Sequence, residues 1–575
     1  MEFEDILSLL GEDGPFQKVF TFCFLVPVAF ITPWLMMTTI FLVSSPKHIC
    51  SNNVLLKNIN RSQIGAYFAN KSFSENDSCF INAQDGSRKE CDSWIFDQSN
   101  YQETFVTHHN LVCSEEHLIG TALAVISVGQ LVGTPLFGYI ADNYGRKKAY
   151  FLGVLISFIS TLSPTLTKGI HEFVVLRFVH GLSTNVSIQM PLVMAVEIVG
   201  PDRRTRITFI SNLVFAMGLA TLPLAAYLTG HWLWMSWLST LITFIALLLF
   251  KWVPESPRWL ISVRKYKEAH KILMKIGRMN GKKIDSESLM RDIKVSFDER
   301  KRERLIFVIL HSGYIPKIFF HHFQEVGKKF EKTADSGQAS DSVLQCFLNR
   351  RILLIISCSA FALLASEVAY TGLHYNVRNF QGNEFLNYFL LASVEPVSYL
   401  LGYYLMNSRL GRRWTSVFAL SFTGVNLMIC AMVNQHDLVR VAIFFMFAKI
   451  GATLGYTVIA LHVSELLPTV IRNQGLSTVF FILSLGSIAI PYIILLGKYS
   501  SHLPLVIMGS IDVAASLLAS FLPETRNKIL PQTIPESEKL VQERRYWSLA
   551  PVRQSDDQKF EREPIAVKTE LSDSS

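Results

Sequence analysis

The feature that most constrains this chain is the recurrence of apolar runs, each close to the ~20 residues a helix needs to cross a bilayer core. Twelve can be counted. They lie at about 20–43, 118–140, 149–167, 172–198, 207–229 and 232–253, then at about 351–373, 384–406, 414–433, 438–464, 476–497 and 503–522. A backbone in lipid must satisfy its own hydrogen bonds, so runs of this length become helices. Only 17% of residues are charged, against roughly 25% in an ordinary soluble domain. The net charge of +8 does not point to nucleic acid, because the cations sit between the runs and at their ends. The first run is too long for a signal-peptide core and follows an acidic, amphipathic start, so no cleaved leader is expected.

The expected organisation is all-α and embedded in the lipid bilayer. A terminal segment 1–19 precedes a six-helix bundle 20–253 that includes a long loop 44–117. A polar connection 254–350, a second bundle 351–522 and a disordered tail 523–575 follow. Short helices are expected in the connection, whose "RKYKEAHKILMKIGRMN" has helical periodicity, while "LIFVIL" (305–310) is too short to span.

Orientation follows from the short connections. Arg146, Lys147 and Lys148 follow span 2, Arg203, Arg204 and Arg206 follow span 4, Arg409, Arg412 and Arg413 follow span 8, and Arg472 follows span 10. The opposite connections hold one or two cations each. Both termini are therefore expected in the cytoplasm, with 44–117 outside. That loop holds Cys50, Cys79, Cys91 and Cys113, half of the eight cysteines of the chain, and sequons at Asn60, Asn70 and Asn76. Four cysteines in an oxidising compartment make two disulfides in one of three pairings.

Span 2 ends in "GYIADNYGRKK" (138–148), with a weaker echo, "SRLGRR" (408–413), after span 8. A repeat at this distance implies two related bundles. Here the chain resembles the major facilitator superfamily, whose signature between spans 2 and 3 is matched by Gly138, Asp142, Gly145, Arg146 and Lys147. The physical expectation is a cytoplasmic latch. Gly145 permits the turn, Asp142 meets span 11 or a cation of the other half, and Arg146 pairs with a carboxylate, Glu197 being the candidate. Ser408 stands where the repeat would have an aspartate, so the latch is expected to be one-sided, with Arg412 in the half that lacks the acid.

Further motifs narrow the resemblance: "PESPRWL" (254–260), "ELLPTVIRNQG" (465–475), "LPET" (522–525), "GEDGPFQKV" near the start, and the large cysteine-bearing first loop. Together they are similar to the organic cation, organic anion and carnitine transporter family over about 1–530, with "GNEFLNYFLLASVEPVSY" and "SLGSIAIPY" most like carnitine-type and organic-cation members. The resemblance implies a plasma-membrane transporter working by alternating access. It also implies that Arg177 serves conformational coupling, and that members often carry six loop cysteines where this chain has four. Ser484 occupies a position where the family often carries a selectivity charge, which favours a zwitterionic or neutral substrate.

An ionisable group within a span is a site candidate. Lys449 in span 10 could hold a carboxylate, and Glu367 and Glu395 are natural partners for an ammonium group. Tyr370, Tyr399 and Tyr456 could offer their rings to a cation. Structural ion pairing is the competing role for each charge. Asp512, in span 12, is expected at an interfacial depth. The alternatives are an organic-anion exchanger relying on Lys449, or a transport-inactive receptor. An enzyme is not expected, because no nucleophile–base pair, metal spacing or phosphate loop is visible. No cofactor is expected either, and any coupling would use an ion such as sodium or proton.

Overall fold

The structure is a computed structural model of the 575-residue chain. It describes residues 3–51, 78–82, 88–283, 285–293, 350–380, 382–434, 437–468, 472–526, 528, 531 and 537. The sequons Asn60, Asn70 and Asn76, the "LIFVIL" run and nearly all of the tail beyond 526 lie outside the described residues.

A helix stands at each of the twelve expected places. Ten are long and apolar enough to cross a membrane: Pro15–Leu42, Cys113–Tyr144, Arg203–Thr229, Trp232–Lys251, Arg350–Asn379, Glu384–Asn407, Gly411–Met432, Leu438–Leu466, Gly475–Lys498 and His502–Ala519. Spans 3 (Arg146–Leu162) and 4 (Ile170–Val196) complete the first half. Span 3 is only 17 residues long. Span 4 carries Arg177, His180, Thr184 and Ser187, all buried, which lowers its apolar character.

Small residues set the closest packing. Span 2 reads "GQLVG" at 129–133, and its glycines face span 4. A Cβ built on Gly129 would stand 2.8 Å from the Gly181 Cα, and one on Gly181 would stand 2.9 Å from the Gly129 Cα. In lipid, where apolar surface gains little by leaving the solvent, such backbone approach supplies the dispersion contact that joins helices. The second half repeats the device between spans 9 and 12, where a Cβ on Gly509 would lie 3.0 Å from the Gly424 carbonyl oxygen. Prolines interrupt two spans. Span 8 divides into Glu384–Ser393 and Glu395–Asn407 just before Pro396, and span 11 into Arg472–Ser487 and Ile490–Leu495 at Pro491.

At the end carrying Gly145 and Gly411 (the motif end) the chain adds helices at Pro257–Ser262, Tyr266–Met279 and 286–293. The acidic start forms a helix, Phe3–Leu10, whose Phe3, Ile6, Leu7 and Leu10 are buried with Leu273 and Ile276. Asn280 ties the two pieces together: its Nδ2 donates to the carbonyls of Leu10 at 2.9 Å and Gly11 at 3.1 Å, and its Oδ1 accepts from the Phe16 N–H at 3.0 Å. At the opposite, loop end, two short antiparallel pairs form, His48–Cys50 with Trp94–Phe96 and Phe80–Asn82 with Arg88–Glu90. Of the three pairings open to the four cysteines, the structure has Cys50–Cys91 and Cys79–Cys113.

Candidate functional site

Four residues before the end of the "GNEFLNYFLLASVEPVSY" run stands Glu395, which begins the second part of span 8 and is fully buried. Its Oε1 lies 2.8 Å from Lys449 Nζ on span 10, itself fully buried. Tyr399, one turn along, donates its hydroxyl to Glu395 Oε2 at 3.4 Å. The Lys449 ammonium also sits 3.3 Å from the Tyr370 ring centroid and 3.2 Å from His374 Nδ1. The structure thus brings Lys449, Glu395 and Tyr370 together, with the lysine and the carboxylate committed to each other.

Glu367 differs. It stands on span 7, one turn before Tyr370 and Thr371, and is only partly buried. Its Oε1 accepts from the Thr371 hydroxyl at 2.7 Å, and no cation pairs with it among the described residues. The Tyr370 and Tyr456 rings stack beside it with centroids 6.1 Å apart. His374, one turn beyond Tyr370, was not singled out from the sequence, although Glu367, Tyr370, Thr371 and His374 share one helical face by spacing. Ser484 does not join the cluster as a donor. Its hydroxyl is spent on the Phe480 carbonyl of its own helix at 2.9 Å. Asp512 is fully buried in span 12, with no hydrogen-bond partner for either oxygen.

The motif end is built twice. After span 2, Gly145 turns with φ +113°, and its missing side chain leaves room for the Glu255 carboxyl and the Trp259 ring. Glu255 accepts the Lys147 N–H at 3.0 Å, capping the start of span 3. Burial pushes the Glu255 carboxyl above the usual carboxylate range, against the pull of these backbone N–H groups. After span 8, Gly411 turns with φ +67°, and Glu524 accepts from the backbone N–H groups of Arg412 at 2.9 Å and Arg413 at 3.0 Å. Arg146 pairs with Asp142 at 2.9 Å and stands 3.8 Å from Glu197. Arg412 pairs with Glu465 at 3.2 Å.

One expectation changes here. In the second half Arg412 pairs with Glu465 of its own half, with Ser408 in the place of the aspartate. Asp142 pairs within its own half and is otherwise exposed, and no ion pair joins it to the other half among the described residues. Glu255 and Glu524 were visible only as letters in "PESPRWL" and "LPET"; their equal place after the sixth span of each half was the available signal.

At the loop end the halves do meet. Glu384, at the start of span 8, accepts from the Ser44 hydroxyl at 3.0 Å and the Tyr101 hydroxyl at 3.1 Å. Burial first, and then the Glu384 carboxylate, push the Tyr101 hydroxyl well above the ordinary phenol range, so it remains a donor. Phe385 stacks on Phe41 at 6.1 Å, and Lys498 pairs with Glu116 at 3.0 Å. Hydrogen bonds to a charged group are worth about 1.5–3 kcal/mol. Glu384→Ala is therefore expected to raise the maleimide labelling rate of a cysteine placed at Phe41 by about tenfold, which is ~1.4 kcal/mol of lost closure. An unchanged rate would show that Glu384 does not hold this end shut.

Comparison with known proteins agrees with this architecture. The sequence profile described as Major Facilitator Superfamily matches residues 109–406. The "Beta-alanine transporter" of Drosophila melanogaster is 29% identical, over 94% of this chain and 89% of its own. "Organic cation transporter 1" of Caenorhabditis elegans is 27% identical over 93% and 88%. "Organic cation/carnitine transporter 2" of Homo sapiens is 26% identical over 93% and 94%. Among solved structures, the xylose transporter XylE from E. coli in a partially occluded inward-open conformation superposes with a TM-score of 0.57 at 15% identity, covering 89% of this chain and 100% of that one, a likeness of fold. With two like-built helical halves and a matching profile over more than half its length, the chain belongs to the Major Facilitator Superfamily and is a membrane transporter.

Proposed function

We propose that this transporter carries small organic cations or zwitterions across the plasma membrane by alternating access, with the loop end outside and both termini in the cytoplasm. The basic residues after spans 2, 4, 8 and 10 support that orientation. On this orientation the structure is closed outside, because Glu384, Phe385 and Lys498 bind the first half there. The motif-end clusters brace each half separately, so the halves rock as bodies, and Asp142 is placed to meet the second half when that end closes. Coupling to a sodium ion or proton is part of the same proposal.

Glu367 carries the substrate assignment. It is the partly accessible carboxylate beside two tyrosine rings, whereas Lys449 is spent on Glu395. An ammonium group gains from both carboxylate and ring faces. The paired, fully buried Lys449 offers a carboxylate little, which counts against the organic-anion alternative. Relatives named for β-alanine and for carnitine fit a guest with an ammonium group at one end.

The test is uptake into proteoliposomes of a quaternary amine, a β-amino acid and an aromatic carboxylate, each with and without sodium. Glu367→Gln is expected to lower kcat/KM for the first two at least tenfold, ~1.4 kcal/mol of lost binding. Exclusive uptake of the aromatic carboxylate, or cation uptake indifferent to Glu367→Gln, would reject the assignment. Binding without flux would favour the receptor alternative.

A further inference from the structure

Arg177 in span 4 is 2% exposed and is packed against spans 1 and 3. Nη1 donates to the Thr39 hydroxyl at 3.1 Å, Nη2 donates to the Ser160 carbonyl at 2.8 Å, and the Phe173 ring covers the guanidinium at 4.8 Å. Its Nε–H has no protein acceptor. Among the described residues no carboxylate lies within ion-pair distance, in contrast to Lys449, Arg146 and Arg412, each of which has one. One turn on, His180 donates Nε2–H to the Leu35 carbonyl at 2.9 Å and leaves Nδ1 without a partner. Arg177 and His180 line one small cavity with Thr38, Thr39, Ser236 and Ser239, offering about 10 Å³ to the centre of a water-sized occupant.

We propose that this cavity binds a small monovalent inorganic anion, of which chloride is the abundant physiological example, held by Arg177. A water in that place would satisfy the loose Nε–H but would leave a full positive charge uncompensated inside a bundle within lipid. An anion answers both needs. The cavity admits a single atom-sized guest, which excludes a carboxylate substrate or a phosphate. The Thr39 hydroxyl, already accepting from Arg177, keeps its own hydrogen for the anion.

Spans 1, 3 and 6 present hydroxyls, the Trp34 indole and aliphatic carbon to the cavity, and span 2 meets span 4 through glycines. Arg177 is thus the one charge facing the cavity among the described residues, and a single monovalent anion balances it.

The test uses the purified full-length protein, melted in chloride, bromide or gluconate at constant ionic strength, at pH 6 and pH 8. Chloride and bromide are expected to raise the Tm saturably and equally at the two pH values, while gluconate leaves it unchanged. Arg177→Gln is expected to abolish the rise. Thr39→Val, which keeps the cation, raises the half-saturating chloride several-fold. Crystals grown in bromide should show anomalous density beside Arg177. Identical melting in chloride and gluconate, a chloride effect untouched by Thr39→Val, or no anomalous density at Arg177 each overturns the proposal in favour of a resident water.

Discussion

Lys449→Met is expected to destabilise the protein by about 3–5 kcal/mol, because it strands the Glu395 carboxylate in a buried place with no cation to answer it. The loss follows from geometry. Both partners are fully buried and 2.8 Å apart, and the remaining neighbours of Glu395 are aromatic or neutral. Removing both charges is a different matter. Two apolar or neutral groups of similar shape leave nothing uncompensated, so Lys449→Met with Glu395→Gln should recover most of the lost stability. Thermal melting of the single and double variants decides the point. Equal loss in both would mean that Lys449 acts through packing and not through charge. If the double variant is stable yet still transports, the pair is structural and the guest is handled elsewhere, with Glu367 as the remaining carboxylate on that face.

The second large effect concerns the contact between spans 2 and 4. Gly181→Leu is expected to abolish folding or cost more than about 4 kcal/mol, since the new side chain would have to enter the backbone of span 2. Even the first added carbon stands 2.9 Å from the Gly129 Cα, closer than real contacts allow. Gly138 offers the control. Nothing lies within 4 Å of a Cβ built there, so Gly138→Ala should leave folded yield unchanged. Folded yield after size-exclusion chromatography measures both variants, and a well-folded Gly181→Leu protein would disprove the close approach.

What the sequence disclosed and what it hid divide along a physical line. Spans were legible because length and apolarity act locally, and the turn at Gly145 was legible because only a residue without a side chain tolerates its backbone comfortably. The pairing of Arg146 with Glu197 was also within reach, since Arg146 follows span 2 and Glu197 ends its neighbour, span 4. The partnership of Lys449 with Glu395 was harder, because they belong to different helices and pairing depends on how each is rotated about its axis. Rotation also sets the surroundings of Asp512. Counting residues from a helix end estimates depth, whereas the buried position of this carboxyl depends on which way it faces. Glu255 and Glu524 stayed hidden for another reason: a carboxylate that caps a distant helix through backbone N–H groups leaves no pattern in the side chains it serves.

The two disulfides interleave along the chain, Cys50 with Cys91 and Cys79 with Cys113, and Tyr101 lies on the stretch between the last two of these cysteines. The hydroxyl that grips Glu384 is therefore presented by a strap anchored at both of its ends by sulfur. Cutting either bond alone leaves one anchor in place, and cutting both frees the strap from its frame. Reduction of both bonds is therefore expected to loosen closure on that side, without altering a single group that a guest would touch.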